Sequence, residues 1–368
     1  MTPQPSPMPE PSQRGVRARR GAHLVGSVPL ESAAAVFRAA GEVLPEYLRR
    51  IPDGETGVRS NWIAWQESIF QSHPDLVDRP APGVDGKYGG LRPGFRLRPG
   101  GDLATLRFGA LGYADHALRS YAEFRAAREA GVVPDHWRFM VAMPTPSAPV
   151  NRFIEADHRA AVEPAYEAAM VDELATITAD IPHEDLAIQW DAPYEIGIWE
   201  GYFPPFFDGD PRQESVARLA RLATAVPDEV ELGIHLCYGD AQHRHFVQPK
   251  DAGIAVALAN AIAEKVARPI NWLHLPVPRD RTDDAYFTPL TGLRLHPETE
   301  LYLGLVHLTD GGAGTRERIR TASRHLDAFG VATECGFGRR PPEDVPALLH
   351  MHRDVAGPDP VSARGRTS

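Results

Sequence analysis

The chain has 368 residues, 43% of them hydrophobic, and carries 39 basic and 49 acidic side chains for a net charge of −10. This acidic balance argues against nucleic acid as a partner, because nucleic-acid binding depends on clustered lysine and arginine. No apolar run approaches the roughly 20 residues of a membrane span, so no membrane partner is predicted. Two cysteines and no recognisable signal peptide predict a protein of the reducing cytoplasm without a disulfide framework.

Short apolar runs alternate with alanine-rich stretches along most of the chain. The apolar runs predict strands over His23–Ser27, Tyr47–Pro52, Trp137–Met143, Leu186–Asp191, Val230–Leu236, Ile270–Leu275, Leu301–His307 and Phe329–Glu334. The stretches between them predict helices over Glu31–Ala40, Tyr121–Ala130, Pro164–Ala179, Gln213–Ala225, Asp251–Ala267, Thr315–Ala328 and Pro342–Val355. This alternation of eight strands with helices predicts an α/β protein with a single (β/α)8 TIM barrel.

The predicted barrel domain covers residues 21–355. Residues 61–131 form a long elaboration after the second predicted strand, with an aromatic-rich helix over Asn61–Phe70 and a loop rich in glycine and proline over Pro80–Gly101. Residues 1–20 are rich in proline, serine and arginine and lack apolar periodicity, and residues 356–368 have a similar composition. We expect both ends to be disordered tails.

Polar side chains collect at or just beyond the carboxyl ends of the predicted strands. They are Ser27, Asp53, Glu55, Asp191, His235, Cys237, His274, His307 and Cys335. In a barrel these strand ends meet at one mouth, where active sites are built. The placement therefore predicts a functional site at the carboxyl ends of the strands.

One pair in this set has the spacing of metal ligands. His235 and Cys237 lie two residues apart, so on a strand both point to the same side, and Cys335 could add a third ligand. Three protein ligands with one open position are typical of a catalytic zinc site. The alternative is that both cysteines are small buried hydrophobic residues. His274 could be a fourth ligand or a strand-end histidine paired with a carboxylate, and His307 could contact substrate or form a structural hydrogen bond.

Several short motifs, in their order and spacing, resemble the catalytic barrel of cobalamin-independent methionine synthase, within the uroporphyrinogen decarboxylase-like superfamily. The likeness spans roughly residues 21–355, in the short, single-barrel form. The motifs are Gly-Ser-x-Pro (Gly26, Ser27, Pro29), Asp-Gly-Glu (Asp53, Gly54, Glu55), Pro-Thr-Pro (residues 144–146), Gln-Trp-Asp-Ala-Pro (residues 189–193), His-x-Cys (His235, Cys237) and Cys-Gly (Cys335, Gly336).

The resemblance implies that His235, Cys237 and Cys335 bind Zn²⁺ and that the metal ionises a thiol like homocysteine for methyl or alkyl transfer. It also implies that Ser27, Glu55 and Asp191 hold the amino-acid end of the thiol substrate. We predict that Gly26 and Asp53 bind substrate as well, and that Asp191 and His307 have catalytic roles. The partners are then a small-molecule thiol and an alkyl donor.

The chain departs from this family at two places. No glutamate follows the sixth predicted strand, where the family has a zinc ligand, and Pro276 stands near that place. Arg152 or Phe153 stands where the family has a tryptophan that stacks on folate, so a folate donor is in doubt. Two other functions stay open: a metal-free lyase or decarboxylase of the same superfamily, and a non-catalytic barrel that binds a small molecule.

Overall fold

The structure is a computed structural model that describes residues 19–78, 94–101, 103–239 and 244–357. The predicted tails, apart from residues 19, 20, 356 and 357, lie outside the described residues, as does most of the predicted loop over Pro80–Gly101. Within the described residues, no helix is both long and apolar enough to cross a membrane.

A curled sheet of eight parallel strands forms the centre of the molecule. The order is β1–β10–β9–β8–β7–β6–β5–β2, and every neighbouring pair is parallel. The strands are β1 (Arg19–Ala22), β2 (Arg50–Pro52), β5 (Arg138–Pro144), β6 (Leu186–Asp191), β7 (Glu231–His235), β8 (Trp272–Pro276), β9 (Glu300–Val306) and β10 (Phe329–Thr333). The predicted α/β class and parallel sheet are confirmed.

The sheet curls until its two ends approach each other, but its ladder of paired strands does not close. The segments that flank β1 and β2 meet through an isolated bridge between Ser27 and Gly54, and Val28 N–H donates to the Gly54 carbonyl at 2.9 Å. Inside the curl, Arg50 on β2 lies 2.9 Å from Glu300 on β9, although four strands separate them in the sheet order. Among the described residues, the strand pairing that would close the predicted barrel is therefore not present.

The first strand differs most from its prediction. It spans Arg19–Ala22 rather than His23–Ser27, because its backbone pairs with β10, with Ala22 opposite Val331. It also begins two residues inside the segment predicted as an amino-terminal tail. The other seven strands of the curled sheet overlap the predicted ones.

Helices occupy the connections between strands and cover the sheet. They are α1 (Ala33–Val43), α2 (Glu67–Ser72), α3 (Tyr113–Glu129), α4 (Ser147–Phe153), α5 (Ala156–Asp180), α6 (Pro193–Trp199), α7 (Pro211–Ala225), α8 (Gly253–Lys265), α9 (Asp284–Phe287), α10 (Gly311–Ala322) and α11 (Val345–Ala356). Side-chain caps start some of them: the Ser32 hydroxyl accepts from Ala35 N–H at 3.2 Å before α1, and Asp210 caps α7 in the same way. Their apolar faces join the core of the sheet.

The elaboration after β2 contains elements that the sequence did not indicate. Strands β3 (Leu76–Asp78) and β4 (Phe95–Leu97) form an antiparallel pair, and β4 lies inside the predicted loop. The predicted helix over Asn61–Phe70 is replaced by a 3₁₀ turn over Ala64–Gln66 that leads into α2. The reason lies in the backbone, because Trp62 has a φ of 50°, which an α-helix does not allow.

Candidate metal centre

Three side chains that could bind a metal meet at the carboxyl ends of β7 and β10. His235 ends β7, Cys237 follows two residues later, and Cys335 lies two residues beyond the end of β10. One nitrogen of His235 and the two sulfur atoms all lie within 4.8 Å of one another. The two Sγ atoms are 3.7 Å apart. Because β8 and β9 separate β7 from β10 in the sheet, the curl brings these ligands together.

The His235 ring is held by a second histidine. Its Nδ1 lies 2.6 Å from Nδ1 of His274, which comes from the neighbouring strand β8. Burial, with His274 and His23 nearby, keeps the pKa of His235 well below its usual value, and burial lowers the pKa of His274 to about 3. Both rings are therefore neutral at neutral pH, and a neutral imidazole is the form that binds metals.

The free nitrogen of His235 fits a metal ligand. Its Nε2 atom is buried and forms no hydrogen bond within the described part of the chain. A buried polar atom without a partner is costly, unless something that the protein binds satisfies it. If His235 donates its Nδ1 proton to His274, the Nε2 lone pair is available beside two thiols. One imidazole and two thiols are a donor set that suits zinc, so this cluster could hold a metal ion.

A small cavity of about 60 Å³ opens beside these ligands. Of the residues predicted to bind substrate, Gly26, Ser27, Glu55 and Asp191 line it. The other residues of its wall are Val25, Trp62, Pro193, His235, Cys237, Gly239, Cys335, Gly336 and Arg339. The cavity therefore joins the candidate metal ligands to two carboxyl groups.

The two carboxyl groups bind protons more tightly than usual. Removal from water raises the pKa of Glu55 to about 7, although Arg59 opposes the shift. Burial, the Glu55 charge and Cys237 raise the pKa of Asp191 well above its usual value, while hydrogen bonds from Gln189 and Trp62 oppose this. Two carboxyl groups that share one small cavity disfavour each other's ionisation, so the site favours a cationic ligand.

Asp53 does not line the cavity, although the sequence predicted a substrate contact. It is buried, and its carboxylate accepts hydrogen bonds from Glu55 N–H at 2.9 Å and from Arg59 Nη2 at 2.6 Å. Gly54 and Glu55 both have positive φ angles, of 79° and 50°. Asp53 therefore fixes a strained turn that points Glu55 into the cavity.

Ser27 connects the segment after β1 to the loop that carries Cys335. Its carbonyl accepts from Phe337 N–H at 2.6 Å, and its hydroxyl accepts from Gly338 N–H at 3.2 Å. A Cβ atom at Gly336 would collide with the Ser27 hydroxyl and backbone, so this position requires glycine. Ser27 thereby holds the Cys335 loop as well as lining the cavity.

His307 lies apart from this cavity. Its Nε2 donates to the Val277 carbonyl at 2.9 Å, and its Nδ1 is 3.8 Å from Glu334. It lines a second, larger cavity with Glu334 instead. The sequence predicted catalytic roles for both Asp191 and His307, but the structure places these two side chains in different cavities. His274 likewise contacts His235 and is not among the three clustered ligands.

Two residues, Trp62 and Arg339, line the cavity although the sequence did not place them there. The sequence predicted only an aromatic-rich helix around Trp62, but its side chain lines the cavity and forms a hydrogen bond to Asp191. Arg339 also lines the cavity. Among the described residues, Glu55 and Trp62 are the non-glycine residues with positive φ, and both face this site. Such strain often collects at functional sites.

No protein-family model and no curated protein matches the chain. A solved structure from Listeria monocytogenes, described as a candidate vitamin-B12 independent methionine synthase, is similar to it with a TM-score of 0.54 and 14% sequence identity. The similarity covers 92% of this chain and 98% of the Listeria chain. At this identity the likeness establishes a related fold over nearly the whole of both chains.

Proposed function

We propose that the protein is a zinc-dependent enzyme that transfers a methyl or alkyl group to the thiol of an amino-acid-like substrate. The observation that carries the proposal is the cluster of His235, Cys237 and Cys335, in which the buried Nε2 of His235 forms no hydrogen bond to any described residue. The fold shared with the Listeria protein supports the same chemistry. The proposal includes a single (β/α)8-type domain over residues 21–355, in a reducing cytoplasm that keeps both thiols reduced.

Zinc bound by these three residues would lower the pKa of a substrate thiol, so that a reactive thiolate forms near neutral pH. The side chains of the protein would bind the substrate and accept its proton. Glu55 and Asp191 would bind the substrate ammonium, which would in turn lower the pKa of both carboxyl groups. Asp191 Oδ1 accepts from Gln189 Nε2 at 2.9 Å, so its other oxygen could accept the proton of the thiol. Trp62 would cover the small cavity and exclude water.

Metal analysis of the purified, tag-free protein tests the proposal most directly. We expect about one zinc per chain after purification under reducing, chelator-free conditions. The same preparation should alkylate an amino-acid thiol such as homocysteine when it is offered a panel of methyl and alkyl donors. A preparation that holds no zinc and takes none up would contradict the proposal and favour the metal-free lyase or the binding barrel.

Binding of an amino-acid ammonium should strengthen as the pH rises through about 7. The pKa of Glu55 is raised to about 7, so its carboxyl is neutral below that pH and negative above it. L-Methionine is a suitable probe because its thioether does not titrate. Glu55→Gln should weaken binding at pH 8 about tenfold or more, the loss of a charge-assisted bond. In this variant the rise of affinity with pH should also occur at a lower pH, because loss of the Glu55 charge lowers the pKa of Asp191.

The charges around Glu55 are Asp53, Arg59, Asp191 and Arg339, and none of them is altered in this variant. Glu67→Gln is a matched control, because Glu67 is an exposed glutamate on α2. It should bind L-methionine as the wild type does at every pH. A pH profile that is the same for wild type and Glu55→Gln would remove Glu55 from the binding site.

Loss of His274 should weaken the metal site without destroying it. The ring of His274 lies 2.6 Å from Nδ1 of His235 and so fixes its orientation and its tautomer. Partners of this kind are typically worth about 10–100-fold in metal affinity, and we expect His274→Ala to cost that much in a zinc competition titration. His274→Gln should recover part of the loss, because an amide can replace the hydrogen bond. His350→Ala, on the exposed surface of α11, is the control.

Two outcomes would change this assignment of His274. If His274→Ala loses zinc as completely as a cysteine variant, His274 is itself a ligand. If zinc affinity is unchanged, the contact between the two rings has no role in the metal site.

A further inference from the structure

A second cavity of about 600 Å³ lies on the loops that follow β7, β8, β9 and β10. It is separate from the small cavity of the candidate metal centre but borders it, because Glu334 lines the second cavity and the next residue, Cys335, lines the first. Its volume falls within the range of about 300–1,000 Å³ that is usual for small-molecule sites. The function proposed above does not use this cavity.

The wall of the second cavity carries an excess of positive charge. Arg244, Arg279 and Arg340 all line it, and none of the three forms an ion pair within the described part of the chain. The carboxylates on the wall are Glu334 and Asp280. This excess stands out in a chain with a net charge of −10, in which Arg128, Arg218 and Arg318 each pair with a carboxylate.

The one deeply placed carboxylate of this wall is already engaged by histidine. Glu334 Oε2 lies 2.8 Å from Nε2 of His245, and its other oxygen lies 3.8 Å from Nδ1 of His307. The His245 side chain is 3% exposed, and its Nδ1 forms no hydrogen bond within the described residues. A buried nitrogen on a cavity wall, without a partner, is a donor or acceptor that a ligand can satisfy.

Hydrogen bonds fix the backbone at two of the three arginines, Arg279 and Arg340, before any ligand binds. Arg318 is fully buried and donates to both carboxylate oxygens of Asp310, at 2.6 and 2.8 Å, and to the Arg279 carbonyl at 2.5 Å. Arg340 N–H donates to the Phe337 carbonyl at 2.8 Å. Guanidinium groups on a fixed backbone lose less freedom when they bind, and their planar forks match the geometry of phosphate and carboxylate oxygens.

We propose that this second cavity binds the oxyanion of a small-molecule ligand, a phosphate or a carboxylate, through Arg244, Arg279 and Arg340. Arg244 and Arg279 are exposed, and an apolar ligand would displace their water without replacing its hydrogen bonds, so the wall selects an anion. The buried His245 ring closes the inner side of this site.

Isothermal titration calorimetry on the full chain at low ionic strength tests the proposal, with inorganic phosphate and succinate as probes. Saturable binding of phosphate alone identifies a phosphate ligand, and binding of succinate alone identifies a carboxylate ligand. Arg279→Met and Arg340→Met should each weaken the bound probe about tenfold or more. Arg353→Met, which removes a surface arginine on α11 that lies outside the cavity, should bind as the wild type does.

The proposal is overturned if neither probe binds saturably at millimolar concentration, or if Arg353→Met weakens binding as much as the cavity variants do. Thermal melting checks that each variant is folded. Arg279 is exposed, so its replacement should leave the core intact. Zinc content is measured by elemental analysis on the same wild-type preparation, and binding of phosphate or succinate in the second cavity does not require zinc. A failure of the zinc proposal and a failure of this one are therefore distinguishable.

Discussion

Replacement of Cys237 or Cys335 by serine should remove most of the bound zinc and abolish thiol alkylation. The two sulfur atoms lie 3.7 Å apart and together supply two of the three clustered ligands. A serine hydroxyl stays protonated near neutral pH, whereas a thiol ionises when it binds zinc, so the variant loses the charge that holds the metal. We expect each variant to lose much more zinc affinity than the 10–100-fold expected for His274→Ala.

Zinc content by elemental analysis and turnover with homocysteine should fall together in both variants. Ser27 holds the loop of Cys335 through backbone groups, so the fold should survive the substitution, and circular dichroism checks that it does. Wild-type zinc content in either variant would show that the cysteines are not ligands. Full zinc loss with unchanged turnover would separate the metal from the reaction and contradict the proposed mechanism.

The meeting of His235, Cys237 and Cys335 could be predicted from the sequence because it depends on two simple rules. Residues two apart on a strand share a side, and the carboxyl ends of parallel strands face one way. The same rules brought Glu55 and Asp191 into the site. They did not place His307, because its buried ring donates to the Val277 carbonyl after the neighbouring strand β8 and lines the second cavity instead.

The role of Trp62 could not be predicted, because it depends on a backbone φ of 50° that no local pattern indicates. The contact between His235 and His274 was also beyond the sequence. It depends on the register of β7 against β8, which places the two residues opposite each other. The bounds of the first strand differ from the predicted ones for a related reason. Its pairing with β10 is a contact between distant parts of the chain, which the local sequence does not indicate.

Replacement of Arg50 by methionine should be among the most destabilising single changes in the chain. Arg50 is 4% exposed, and its guanidinium donates to Glu231 at 2.5 Å and to Glu300 at 2.9 Å. It also lies over the Trp272 ring, 4.2 Å from the ring centre. These contacts join β2 to β7, β8 and β9 across the inside of the curled sheet, at the end opposite the candidate metal centre.

Removal of one partner from a buried ion pair leaves the other charge buried and uncompensated, at a cost of about 3–5 kcal/mol. For Arg50→Met we expect the lower end of that range, because Glu300 keeps its contact with Arg49 at 2.6 Å and Glu231 keeps Arg138 at 3.3 Å. Urea denaturation followed by tryptophan fluorescence would measure the loss. It should appear as a lower midpoint with an unchanged slope.

Arg49→Met is the matched control, because Arg49 contacts the same Glu300 carboxylate but its side chain is 63% exposed. An exposed ion pair contributes about 0–1 kcal/mol, so this variant should unfold near the wild-type midpoint. Adding Glu300→Gln to Arg50→Met should restore part of the lost stability, since it removes a carboxylate left without its buried partner. Equal midpoints for Arg50→Met and Arg49→Met would show that the contacts of β2 with β7, β8 and β9 across the sheet do not stabilise the fold.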